Sequence, residues 1–325
     1  RRLDRMNGSN FEAPGVVVVA GPTASGKTAL AIELAKALDG EIVSADSMQI
    51  YRGMDIGTAK ASAQERREAV HHMLDVCDPG EAYSAARYVE DAARCCDDIL
   101  ARGKLPVIAG GTGLYIDSLL SGRGFAETGG DGALRERLNA EYDARGGEAM
   151  LEKLRSFDPE RAAMLAAADK RRIVRAIEIY ELTGKTITEH DAESRAIPPR
   201  YRTARIVLGY KDRADLYARI DARVDAMVDA GLFSEVGELL AAGVDAGCTA
   251  MQAIGYKEAA AALRGELSRS EASDAIKLAS RRYAKRQLTW FRRWTDALHI
   301  DWDGAPDFER ARQLSTDFIH SRGIS

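Results

Sequence analysis

Val16 to Ala20 is an unbroken apolar run with four valines, led in by Pro14-Gly15, and such a run predicts a strand buried on both faces. A glycine-rich segment, residues 21–28, follows it. The next stretch is TALAIELAKALDG, in which Leu30, Leu34, Ala37 and Leu38 recur at helical spacing and Gly40 closes the helix. EIVSAD (41–46), LPVIAGG (105–111), ARIVLGY (204–210) and ALHID (297–301) are further short apolar runs separated by helical stretches. Alternation of this kind predicts an α/β fold, a parallel sheet flanked by helices. Between about 121 and 200 the strand signals stop, and RRIVRAIEIYELTG places Ile173, Ile177 and Tyr180 on one helical face. That stretch reads as a helical insertion, with edges at Gly122 to Gly132 and at Ala196-Ile197-Pro198-Pro199, where residues that interrupt regular structure gather. The expected organisation is a mobile tail (1–14), the first part of the core (15–121), the insertion (122–200) and the second part of the core (201–325).

Composition narrows the class. The chain has 325 residues, 46% hydrophobic and 30% charged, the balance of a soluble globular protein, and no apolar run approaches the ~20 residues that cross a bilayer. The opening RRLDRMNGSN is basic but lacks the apolar stretch and cleavage site of a secretory signal. Cysteines at 77, 95, 96 and 248 offer neither a disulfide framework nor CxxC spacing, so a reducing cytoplasm and no structural metal are expected. His71-His72 and Cys95-Cys96 are adjacent pairs whose side chains diverge, which argues against metal binding. A net charge of −4 and a pI near 5.9 argue weakly against nucleic acid when taken as a whole. Locally the picture changes. Lys170, Arg171, Arg172 and Arg175 cluster on the insertion, and Arg281, Arg282, Lys285, Arg286, Arg292 and Arg293 put six cations in thirteen residues without an acid. Such patches can bind RNA phosphates, although basic helix faces are often only solvated. Trp290 and Trp294, one helical turn apart, are expected in the core.

The chemistry begins at Gly21-Pro22-Thr23-Ala24-Ser25-Gly26-Lys27-Thr28, which matches GxxxxGK[ST] between a valine strand and a helix, the context this motif requires. Its backbone N–H groups and the helix N-terminus attract a diphosphate, Lys27 adds a point charge, and Thr28 can hold Mg²⁺. Most such loops hold ATP or GTP, so the loop alone favours an NTPase or a kinase.

A longer motif points elsewhere. Asp46-Ser47-Met48-Gln49-Ile50-Tyr51-Arg52-Gly53-Met54-Asp55-Ile56-Gly57-Thr58-Ala59-Lys60 resembles the signature of tRNA dimethylallyltransferases. His71 to Asp75 with Asp78-Pro79, Gly110-Gly111-Thr112-Gly113-Leu114-Tyr115, the Arg171 to Glu178 segment, Gln252-Ala253-Ile254-Gly255-Tyr256-Lys257 and Lys285-Arg286-Gln287-Leu288-Thr289-Trp290 follow in that family's order. The resemblance covers roughly residues 15–295. It departs at Ala61 and at Ala167-Ala168-Asp169, where the family usually carries prolines.

The resemblance implies transfer of a dimethylallyl group from dimethylallyl diphosphate to the exocyclic amine of the adenosine 3′ of the anticodon. The expected partners are that diphosphate, with Mg²⁺, and the tRNA anticodon stem-loop; the expected state is a monomer. Asp46 follows the second predicted strand, at the carboxyl edge of the sheet where open α/β folds bind ligands, and a carboxylate there can take the proton that the attacking amine sheds. The resemblance assigns Thr112 and Arg223 as donors to the diphosphate leaving group, although ARIDARVDAMVDAGL alone reads Arg223 as a solvated partner of Arg219. It also assigns tRNA contacts to Asp46, Ser47, Met48, Gln49 and Thr112, to Arg171, Arg172, Ile173, Val174 and Arg175, and to Gln252, Ala253, Ile254, Gly255, Tyr256 and Lys257. The competing reading is a small-molecule or nucleoside kinase, in which Asp46 binds the acceptor hydroxyl. The insertion is far longer than a kinase lid needs.

Overall fold

A computed structural model describes residues 13–122 and 132–324. Most of the expected tail, and the glycine-rich start of the insertion, lie outside the described residues. By its internal contacts the chain divides into two compact units, one formed by residues 1–120 with 199–325 and the other by 121–198.

The larger unit starts with β1 (Gly15–Ala20), α1 (Lys27–Ala37), β2 (Gly40–Ser44), α2 (Ala63–Glu68), β3 (His71–His72), α3 (Ala85–Ala101), β4 (Leu105–Gly110) and α4 (Gly113–Ser121). Its sheet has six strands in the order β3-β2-β4-β1-β5-β6, every pairing parallel. The two strands that complete it come after the insertion. β1 sits inside the sheet with Val16, Val17, Val18 and Val19 fully buried, which is why its sequence shows no polar alternation. One face packs Val16 and Val18 against Tyr88, Ile108, Ile116 and Phe291. The other packs Val17 and Val19 against Leu30, Leu34, Val107 and Ile206. Five of the strands match runs legible in the sequence, while β3, only two residues long and made of histidines, carries no apolar signal.

Among the described residues, the smaller unit is all helix: α5 (Gly132–Arg145), α6 (Gly147–Arg155), α7 (Pro159–Ala163), α8 (Lys170–Thr183) and α9 (Ile187–Ala196). Leu138, Met150, Leu154, Ile173, Val174 and Ile177 form its core. The carboxylate of Glu178, fully buried in α8, is satisfied by two bonds of 3.0 Å from Arg135 and one of 2.8 Å from Arg175. The start of α9 is fixed by a capping box between Thr186 and Glu189.

The chain returns to the larger unit through β5 (Arg202–Tyr210), α10 (Arg213–Asp229), α11 (Leu232–Ala241), a 3₁₀ turn at Ala250–Gln252, α12 (Tyr256–Leu263), α13 (Arg269–Phe291), β6 (Leu298–Trp302) and α14 (Phe308–Ser321). Alignment of Ser44 with Ala109 and of Ala20 with Gly110 brings the carboxyl ends of β2, β4 and β1 level. The turns leaving three adjacent strands therefore open on one edge of the sheet.

Candidate active site

The loop leaving β1 wraps into α1 through Gly26, whose φ of 87° is a left-handed conformation that glycine adopts without strain. No side chain caps α1, so its first-turn N–H groups point at the space inside the loop and suit an anion. The loop is shaped from within and from behind. Ser25 Oγ and Lys27 Nζ donate to the Pro22 carbonyl at 2.8 and 2.7 Å. Trp302 Nε1 on β6 donates to the Ser25 carbonyl at 2.9 Å, and the Thr23 N–H donates to Gln287 Oε1 on α13 at 2.9 Å.

Asp46 stands two residues beyond β2. Its Oδ1 accepts the Met48 N–H at 2.8 Å and the Gln49 N–H at 3.3 Å, a local turn that fixes the carboxylate; its Oδ2 takes no hydrogen bond among the described residues. Thr112, just beyond β4, is tied to the same turn. Its N–H donates to the Ala45 carbonyl at 3.1 Å and its Oγ1 accepts the Ser47 N–H at 3.1 Å. Glycines make this joint possible: a Cβ on Gly111 would lie 2.1 Å from Gln287 Nε2, and one on Gly113 would lie 2.2 Å from the Trp290 ring. The Gly110-Gly111-Thr112-Gly113 turn is thus a seat for α13.

Arg223 arrives from α10. Its Nε is buried without a hydrogen-bond partner, which is unusual for a guanidinium. Burial pulls its pKa down from the ordinary value, opposed by the negative charges of Asp46 and Glu65. Lys27 is perturbed in the same place. Burial and then the like charge of Arg223 lower its amine to about 7, with Asp46 pulling the other way. Strongly shifted groups with a stated cause, gathered at one edge of a sheet, mark functional sites more often than chance. Arg223 is therefore not the solvated helix residue that its local pattern suggests.

Two residues of this cluster carried no role in the sequence reading. The Tyr283 hydroxyl lies beside Asp46, Thr112 and Gln287, and burial first, then Asp46, push it up to about 12. Gln287 touches both the phosphate loop and the Thr112 turn. Both stand on α13 at i and i+4, so they share one face. That spacing was the available signal, together with an uncharged amide between cations.

Comparison with known proteins bears on what this site does. A model of IPP transferases matches residues 49–294, and one of isopentenyl transferases matches residues 14–75. The chain belongs to the IPP transferase family. Among its relatives is a tRNA dimethylallyltransferase of Acetivibrio thermocellus, 48% identical over 310 residues, covering 95% of this chain and 98% of that one. Another, from Exiguobacterium, is 48% identical over 294 residues, covering 90% and 92%. The crystal structure of a tRNA isopentenylpyrophosphate transferase from Bacillus halodurans superposes with a TM-score of 0.70 at 38% identity, covering 96% of this chain and 98% of that one. A eukaryotic dimethylallyltransferase acting on tRNA gives a TM-score of 0.81 at 30% identity, covering 96% and 81%.

In this member of the IPP transferase family the positions expected to contact RNA divide into exposed and buried ones. On α8, Arg171 and Arg172 are exposed, whereas Ile173 and Val174 bury their side chains in the helical core and Arg175 is committed to Glu178. In the 252–257 segment Gln252 and Lys257 are exposed, Ile254 is half-buried, and Ala253, Gly255 and Tyr256 are buried. The Tyr256 hydroxyl donates to Glu235, whose carboxylate also accepts the N–H groups of Asp55, Ile56 and Gly57. The Gln49 amide holds the Thr58 and Ala59 carbonyls at 3.2 Å each. For the buried positions these contacts give an internal job, and a contact with RNA there would have to use backbone.

The basic clusters are smaller than sequence counting suggests, because acids distant in sequence neutralise part of them. Lys170 pairs with Asp143 at 2.6 Å, and Arg281 pairs with Asp221 at 2.6 Å. Arg282, Lys285, Arg286 and Arg292 are exposed and form no ion pair among the described residues. Trp294 is core, as expected. Trp290 packs against the same core but is only half-buried, with Arg293 stacked 4.1 Å from its ring centre, and its Nε1 reaches Asp117 at 2.8 Å.

Proposed function

We propose that this protein transfers the dimethylallyl group of dimethylallyl diphosphate to the N6 amine of the adenosine immediately 3′ of the anticodon in tRNA, releasing diphosphate. The observation that carries this reading is the meeting of a phosphate loop with a fixed carboxylate and an unpartnered arginine, in a chain of the IPP transferase family. The family match also weighs against the kinase reading.

In this mechanism the loop N–H groups and Lys27 hold the diphosphate, and Thr112 and Arg223 face its oxygens. The buried Arg223 Nε–H, lacking a partner, is a donor that a bound diphosphate would satisfy. The N6 lone pair forms the new bond to the allylic carbon as the carbon–oxygen bond breaks, and the bond electrons leave with the diphosphate. Donors preorganised on that oxygen stabilise the growing charge and need no reorganisation. The amine becomes acidic as it attacks, and Asp46 accepts its proton. The adenine has to leave the anticodon-loop stack to reach this carboxylate.

Mg²⁺ fits the donor set. Among the described residues no three or more His, Cys, Asp or Glu side chains gather so as to hold a metal ion, and Mg²⁺ is commonly held by one or two protein oxygens with substrate phosphates and water. Thr28 would be the protein oxygen, and the ion would neutralise diphosphate charge. Among the described residues no helix is long and apolar enough to cross a membrane. Because the substrate is tRNA, we place the reaction in the cytoplasm, catalysed by a monomer. Arg171, Arg172, Gln252, Lys257 and the free cations of α13 are the side chains available to RNA phosphates. The test is incubation with labelled dimethylallyl diphosphate and unmodified tRNA. Label should move into the RNA without ATP; phosphoryl transfer from ATP to a nucleoside, with no label in RNA, would overturn the reading.

A further inference from the structure

The side-chain amide of Gln287 is buried between the two halves of the site and uses both ends. Its Oε1 accepts the Thr23 N–H of the phosphate loop at 2.9 Å, and its Nε2 donates to the Gly111 carbonyl of the turn carrying Thr112 at 3.0 Å. Only 5% of its surface is exposed. A residue that merely filled space in an amphipathic helix would be apolar here, since a buried amide is costly unless both its groups are bonded. The turn is built around this side chain, because Gly111 leaves no room for a Cβ beside Nε2. α13 itself is pinned further along, where Trp290 Nε1 and Trp294 Nε1 donate to the two oxygens of Asp117 on α4 at 2.8 and 2.9 Å.

We propose that Gln287 is a positioning residue that sets the spacing between the diphosphate cradle and Thr112, without itself touching the reacting atoms. The proposal rests on the reading of the phosphate loop and Thr112 as the two sides of a prenyl diphosphate site. The loop comes from β1 and the Thr112 turn from β4, and β1 and β4 end level. Beyond the strands no backbone ladder joins them, and the Gln287 amide supplies the missing link. Misplacement of reacting groups by about 1 Å can cost about 10²-fold in rate, so loss of the link should appear in the chemical step.

Gln287→Glu separates this from a packing role. Protonated, a glutamic acid can accept from Thr23 and donate to Gly111 as the amide does; ionised, it sets an oxygen against the Gly111 carbonyl. Burial raises such a carboxyl's pKa. The single-turnover prenylation rate of Gln287→Glu, divided by that of wild type at each pH, should therefore climb toward one as pH falls. Gln287→Met, equal in length and unable to bond, should stay about 10- to 10²-fold slow at every pH, with tRNA affinity unchanged. Rates are taken at saturating substrates and normalised to folded protein by circular dichroism. A Gln287→Met enzyme as fast as wild type, or a Gln287→Glu ratio that does not vary with pH, would overturn the proposal. Loss of tRNA affinity at an unchanged saturated rate would also overturn it, making Gln287 an RNA contact. Were wild type itself unable to prenylate tRNA, the functional reading would fail, and not the role of Gln287 within it.

Discussion

β2 carries an acid near each end, and the two have opposite surroundings. Glu41, at the amino end, is 3% exposed and fully paired: Arg102 reaches its two oxygens at 2.5 and 2.8 Å, and His72 Nε2 lies 2.7 Å away. Those partners lower its carboxyl to about 2. Asp46, just past the carboxyl end, has one oxygen fixed by backbone N–H groups, while the cations that attract it, Lys27 and Arg223, form no ion pair with it among the described residues and repel each other in a half-buried cluster. The same fold satisfies charge at one edge of the sheet and leaves it unsatisfied at the other. Paired charge secures structure; unpaired charge is a place for a ligand to complete.

Removing each acid should separate the two roles most sharply. Asp46→Ala is expected to slow single-turnover transfer by about 10²- to 10⁴-fold, the usual cost of losing a general base, with diphosphate affinity and melting temperature nearly unchanged. Glu41→Gln is expected to do the reverse, costing roughly 1 to 3 kcal/mol of stability through its charged hydrogen bonds while the folded fraction works at full rate. An Asp46→Ala enzyme that loses diphosphate binding instead would make Asp46 a ligand for the metal.

The next effect in size concerns what completes the carboxyl edge. Dimethylallyl diphosphate with Mg²⁺ at 100 times its Kd should stabilise the protein by about 2.7 kcal/mol, read as a rise in melting temperature, and ATP at the same concentration should do much less. The loop itself cannot tell the two apart, so the preference has to come from an apolar slot beside Asp46 and Thr112. Lys27→Ala should abolish the protection. Equal protection by ATP would remove that slot from the model of the site.

How far these regions could be read in advance follows from the range of the signals. The phosphate loop is contiguous, and its strand and helix flanks are contiguous too, so Gly21 to Thr28 stood out from pattern alone. Asp46 and Thr112 were placed at strand ends by the same pattern, but their roles came from resemblance. Arg223 was illegible in its own helix, where Arg219 one turn away suggests solvent, because the charged groups it faces, Lys27, Asp46 and Glu65, lie far off in sequence. Gln287 and Tyr283 were hidden for the same reason: a long helix shows its periodicity but not what each face meets. The basic clusters misled in the other direction, since Asp143 and Asp221 neutralise Lys170 and Arg281 across helices.

That correction sharpens the expected RNA contacts of α8. Reversing Arg171, Arg172 and Arg175 together should weaken tRNA binding and flatten its salt dependence, while diphosphate binding survives. Each phosphate contact contributes about one unit of slope. With Arg175 engaged by Glu178, the loss should be about two units and should be reproduced by the Arg171 and Arg172 changes alone. A slope equal to that of wild type in filter binding across a salt series would remove α8 from the RNA-facing surface.

The smallest effect is a pH dependence at Lys27, and its sign follows from linkage. In the free protein the amine titrates near 7, below its ordinary 10.5, so between those values the unfolded chain carries a proton that the folded chain lacks. Stability of the free protein from this group therefore rises with pH across that window. A bound diphosphate brings negative charge to the amine and keeps it protonated, so the liganded protein does not share that gain. The rise in melting temperature produced by dimethylallyl diphosphate should shrink from pH 7 to pH 9, and binding should take up a proton across the same range. Phosphate groups titrate near pH ~6, outside the range, so the ligand contributes little to the slope. Calorimetry in buffers of different ionisation enthalpy measures the uptake directly. Lys27→Met should bind weakly at every pH and take up none; uptake persisting in that variant would place the titrating group elsewhere in the cluster, and a wild-type affinity flat from pH 7 to 9 would mean that Lys27 is protonated before the ligand arrives.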